Sequence, residues 1–99
     1  MKVVTLCGSM KFQKQMVEIA SSLEAKQGYC VLQPVYLAEG ETFSEEEYKN
    51  VVEAHFAKIN LSDAIYVVNI GGYVGSSTSG EIEYAKTHNK EVLFHETIN

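Results

Sequence analysis

The chain has no arginine and no tryptophan, a single proline, only two cysteines, and no apolar run near the roughly 18 residues that a membrane helix needs. Each scarcity removes something. Without arginine, a phosphate would have to be held by backbone amides, hydroxyls and lysine point charges, because no bidentate fork exists. All 8 basic residues are lysines, set against 13 acidic ones for a net charge of -5. Nucleic acid and anionic membrane are therefore poor main partners, since phosphate contacts need a clustered positive face. No charged segment followed by an apolar one marks a leader, which points to a cytoplasmic protein. Cys7 and Cys30 sit in apolar runs without C-x-x-C spacing and read as buried reduced thiols. His55, His88 and His95 show neither H-x-H nor H-E-x-x-H spacing, so no metal and no cofactor is expected.

What is present is one domain, 1-99, with 45% apolar residues. Val3 to Cys7 is a nearly continuous β-branched run, as expected for a strand covered on both faces. Phe12, Met16, Ile19, Ala20 and Leu23 form one helical stripe, which Gly28 ends as a left-handed cap. Tyr29 to Gln33 reads as a second strand closed by Pro34, and Val35 to Phe43, without period, as an exposed loop or lid near a ligand. Ser44 with Glu47 fits a capping box, and Tyr48, Val51, Val52, His55, Phe56 and Ile59 continue as the apolar face of a second helix. Asp63 to Asn69 is strand three, Thr78 to His88 helix three, and Glu91 to Phe94 strand four. Strands alternating with helices predict an α/β fold, a three-layer open parallel sheet of Rossmann or flavodoxin-like type with about four strands in order 2-1-3-4. Ligands in such sheets bind beyond the strands' carboxyl ends where the order reverses, here between strands one and three. A four-stranded domain also leaves edges that a homodimer would cover.

Two polar segments meet at that switch point. In Cys7-Gly8-Ser9-Met10-Lys11, Gly8 permits a tight turn, Ser9 can cap, and Lys11 places a cation in a first helical turn, where only a bound anion would favour it. The alternative is a capped helix with a solvated lysine. In Asn69 to Ala85, Gly72 and Gly75 let backbone approach a ligand, Ser76 and Ser77 supply donors, and Glu81 brings a carboxylate. Glu81 has a competing reading, since Thr78-Ser79-Gly80-Glu81 matches a capping box. His55 reads either as a satisfied core or pocket-edge histidine or as the one group near the site that titrates around neutral pH. Tyr36 and Tyr73 flank the pocket as base-stacking candidates or ordinary surface tyrosines. Neither glycine-rich stretch is a Walker motif.

Taken together, Cys7 to Lys11, strand three with Asn69 as a substrate-binding candidate, and Ser79-Gly80-Glu81-Ile82-Glu83-Tyr84-Ala85 resemble the nucleoside 2-deoxyribosyltransferase family, especially its 2'-deoxynucleoside 5'-phosphate N-hydrolase branch. The resemblance implies cleavage or exchange of the N-glycosidic bond of a nucleoside or its 5'-monophosphate, with Glu81 as nucleophile. It implicates Ser9 and Lys11 at a 5'-phosphate, with Ser76 and Ser77 at sugar or phosphate. Two positions depart from the family: Lys11 stands where an arginine is expected, and His55 where an aspartate contributes to the ribose site. The rival expectation is a nucleotide-binding sensor of the same fold without turnover.

Overall fold

The computed structural model describes residues 1–98. Strands β1 (Val3–Gly8), β2 (Cys30–Leu32), β3 (Ala64–Val68) and β4 (Glu91–Phe94) form one parallel sheet in the order β2-β1-β3-β4. Helices α1 (Gln13–Gln27), α2 (Glu45–Leu61) and α3 (Ser76–Thr87) are the crossovers. The architecture and strand order are those expected.

The pleat explains the layering. In β1, Val4 and Leu6 face α1 and pack with Met16, Ala20 and Leu23. Cys7 faces the opposite layer, where Ile59 of α2 and Ala85 of α3 join Ile65 and Val67 of β3. Both central strands are thus buried on both faces, and that is why they read as unbroken apolar runs rather than alternating ones. Gly8 continues the α1 face: a β-carbon there would stand 3.2 Å from Met16 Sδ and from Val68 Cβ, so its absence lets α1 pack close to the strand end.

Element ends follow local chemistry. Ser9 caps a short 3-10 turn, Met10–Phe12, accepting from the Lys11 amide at 3.3 Å, so the α-helix proper begins only at Gln13. Gly28, at φ 72°, closes α1, its amide reaching the Glu24 carbonyl at 3.2 Å. Ser44 and Glu47 make the capping box: the Glu47 amide donates to Ser44 Oγ at 3.2 Å and the Ser44 amide to Glu47 Oε1 at 2.9 Å. Strand β2 is shorter than expected because only Cys30, Val31 and Leu32 find partners on β1. Beyond them the Gln33 carbonyl accepts instead from Lys58 Nζ at 2.6 Å. At the other end of the sheet, the Val3 amide donates to Asp63 Oδ2 and the Asp63 amide to the Val3 carbonyl, both at 2.8 Å, tying β3 to β1 away from the switch point.

Candidate active site

A cavity of about 1100 Å³ opens at the carboxyl ends of β1 and β3. The turn after β1 (Gly8, Ser9), the loop after β2 (Val35, Leu37, Phe43), the inner face of α2 (Val52, His55, Lys58) and the start of α3 form its walls. Of the residues singled out from sequence, Gly8, Ser9, His55, Tyr73, Gly75, Ser76, Ser77 and Glu81 all line it. The loop that reads as a lid is tied to α1 where Gln13 Nε2 donates to the Leu37 carbonyl at 3.0 Å.

Helix α3 starts two residues before the expected Thr78. Gly75, extended at φ -75° and ψ 170°, is its N-cap and contributes no side chain, while the Ser79 amide already donates to the Gly75 carbonyl at 2.9 Å. Thr78 is therefore buried inside the first turn and cannot be an N-cap, because a cap residue must lie outside helical conformation. The capping-box reading of Glu81 is overturned. Glu81 falls in the second turn, with its carboxylate turned to the cavity wall. The first-turn amides that have no acceptor inside the helix belong to Ser76, Ser77 and Thr78, which line the cavity.

Glu81 meets two side chains from other elements. His55 Nε2 lies 3.4 Å from Glu81 Oε1 and 3.5 Å from Cys7 Sγ. Burial pushes the Cys7 thiol well above its ordinary pKa, and the negative charge of Glu81 and a hydrogen bond to that carboxylate add to the effect. His55 is 9% exposed, yet its Nδ1 is buried without a hydrogen-bond partner. His55 therefore sits at the edge of the cavity with one ring nitrogen toward Glu81 and Cys7 and the other without a protein partner.

Four of the residues singled out, Lys11, Asn69, Gly72 and Tyr36, do not line the cavity. Lys11 Nζ lies 3.3 Å from the centre of the Tyr73 ring, and its side chain borders a shallower depression between α1 and the following loop. Asn69 is consumed structurally: its Oδ1 accepts from the Glu96 amide at 2.7 Å and its Nδ2 donates to the Glu96 carbonyl at 3.1 Å. Gly72, exposed at φ 80°, completes a 3-10 turn outside the cavity. Tyr36 packs on the α1 side of the core, with its hydroxyl on Gln33 Oε1 at 3.1 Å. In turn, sequence reasoning missed Lys58. It lies three residues after His55, a spacing that puts both on one helix face, and it is the basic side chain that reaches the cavity wall. It also took Cys7 for a core thiol only.

No protein-family model matches the chain, and no curated protein does. A solved structure, the 2-deoxyribosyltransferase of the psychrotolerant bacterium Bacillus psychrosaccharolyticus, described as a biocatalyst for synthesis of antiviral and antitumoral nucleosides, aligns over 98% of this chain and 77% of its own. The TM-score is 0.66 and the identity 18%, a likeness of fold. That fold is the one the family resemblance implies.

Proposed function

We propose that the protein cleaves or exchanges the N-glycosidic bond of a (deoxy)nucleoside or its 5'-monophosphate, with Glu81 as nucleophile. The observation that carries this reading is the Glu81 carboxylate itself, freed from any capping duty and held at the cavity wall by His55 at 3.4 Å. Breaking the bond develops oxocarbenium character at the anomeric carbon. A carboxylate stabilises that charge and can trap it as a glycosyl ester, which water or a second base then resolves, as in retaining glycosidases. His55 is the source of a proton for the departing base. The α3 amides, with the hydroxyls of Ser9, Ser76 and Ser77, take the 5'-phosphate where other proteins would use arginine. The base lies among Tyr73, Val35 and Phe43. The transferase named above supports the reading through its fold.

The same His55 contact favours a second reading, a nucleotide-derived ligand sensor without turnover, because a carboxylate engaged by an imidazole is a weaker nucleophile. In either case no cofactor enters, and a homodimer covering the open sheet edges at β2 and β4 is part of the proposal. The described residues include no helix long and apolar enough to cross a membrane. Incubating the protein with a panel of nucleosides and monophosphates decides between the readings. Free base from at least one of them is the expected result, and binding without any free base gives the site to the sensor.

A further inference from the structure

Cys7, His55 and Glu81 converge from β1, α2 and α3, His55 and Glu81 on the cavity wall and Cys7 buried directly behind them. Their Sγ, Nε2 and carboxylate oxygen lie within 4.8 Å of one another. The sulfur-to-nitrogen edge is 3.5 Å and the nitrogen-to-oxygen edge 3.4 Å. Zinc bonds of ~2.3 Å to sulfur and ~2.0 Å to nitrogen and oxygen, set at tetrahedral angles, require edges of roughly 3.3 to 3.6 Å. These two edges match two of the three that such a tetrahedral face requires, and the sulfur-to-oxygen edge lies within 4.8 Å. The three groups also contact one another without an ion, through the 3.5 Å Cys7–His55 and 3.4 Å His55–Glu81 pairs, so the same geometry serves the empty site.

We propose that Cys7, His55 and Glu81 bind a divalent ion of the zinc class, with its fourth coordination position open to the cavity. Three protein ligands with a fourth position left for water or substrate is a recurrent zinc arrangement. A thiolate and a carboxylate supply two negative charges and the imidazole none, so the loaded site leaves no unpaired charge in a buried place. Sulfur and imidazole together select zinc-class ions over magnesium or calcium. Binding breaks the Cys7 S–H bond, releases that proton to solvent and forms the sulfur–metal bond, with no change of oxidation state. An ion held there occupies the carboxylate and imidazole that the proposed reaction needs, so loading and glycosidic cleavage exclude each other. The ion site itself does not depend on that reaction.

The test is a titration of the full reduced chain with Co²⁺ as spectroscopic probe, followed by Zn²⁺, with Mg²⁺ as control. The expected result is one ion per chain and a sulfur-to-cobalt charge-transfer band that Zn²⁺ removes and Mg²⁺ leaves intact. Cys7→Ser abolishes the band. His55→Gln and Glu81→Gln each weaken zinc by more than about 100-fold, beyond the 10–100-fold typical of outer-shell partners. His88→Gln, which alters an exposed imidazole on the far end of α3, binds as the unmodified protein does. Absence of the charge-transfer band in the unmodified protein overturns the proposal without relying on any variant to fold. A band that survives Cys7→Ser overturns it equally, since the sulfur would then be that of Cys30.

Discussion

Asn69→Ala separates a structural role from a ligand role at the end of β3. The side chain is 2% exposed and clamps the segment after β4 through two hydrogen bonds to the Glu96 backbone, at 2.7 and 3.1 Å. Each such bond contributes roughly 0.5–1.5 kcal/mol, so losing both costs about 1–3 kcal/mol; exposure of Glu96 to water keeps its orphaned groups from adding a larger penalty. For a domain of this size that lowers Tm by about 5–20 °C. Urea unfolding measures the loss as a lower midpoint at unchanged slope. Asn69→Asp keeps an acceptor for the Glu96 amide but sets a carboxylate oxygen against the Glu96 carbonyl, so it loses at least as much. Nucleotide affinity, measured well below the variant's Tm, stays within about twofold, a difference of ~0.4 kcal/mol. A Tm unchanged within about 2 °C, together with lost affinity, would refute the clamp and return Asn69 to the ligand.

Lys11→Ala removes a cation resting on the exposed Tyr73 ring, a contact of ~0.5–1 kcal/mol, and lowers affinity for a monophosphate and for its nucleoside equally; titration calorimetry that finds a selective loss for the monophosphate contradicts this. Ser44→Ala opens the capping box of α2 and lowers stability by about 1 kcal/mol in urea, whereas an unchanged midpoint means the box is idle. The Glu47 carboxyl is held below its ordinary 4.5 by the Ser44 amide and hydroxyl, so its contribution is present above pH 4.5 and fades as pH falls through the lower folded value. Acid unfolding of Glu47→Gln should lack that component, and an identical acid limb in both proteins counts against it. With its pKa raised by burial and by Glu81, Cys7 stays a thiol at pH 8, so iodoacetamide labels Cys30 and spares Cys7; equal labelling by mass spectrometry opposes that environment.

Strand order was legible because β1 and β3, covered on both faces, carry unbroken apolar runs, and because alternating strands and helices admit few topologies. The Ser44 box was legible because all its partners lie within four residues of each other. The start of α3 was not. Four successive hydroxyl residues, Ser76 to Ser79, offer four local caps of similar quality, and burial of Thr78 against the fold selects a start that no local pattern favours. The placement of Asn69 was not legible because its partner, Glu96, is 27 positions away, nor that of Lys11, which rests on a tyrosine from the opposite turn. The cluster of Cys7, His55 and Glu81 lies outside every short-spacing rule, since the parallel fold assembles it from one strand and two separate crossovers. Long-range pairing decided each of these sites, and single-residue types carry no record of it.

The central claim is that the Glu81 carboxylate acts on the glycosidic bond, and Glu81→Gln tests it most directly. The substitution keeps size and helix propensity, and since Glu81 caps nothing the fold should be unaffected. With whichever nucleoside or monophosphate yields free base, the expected result is a fall in kcat of at least about 10³-fold, roughly 4 kcal/mol of transition-state stabilisation, with ligand affinity within a few-fold of the unmodified protein. Equal rates of base release from both proteins, at equal affinity, would contradict the account.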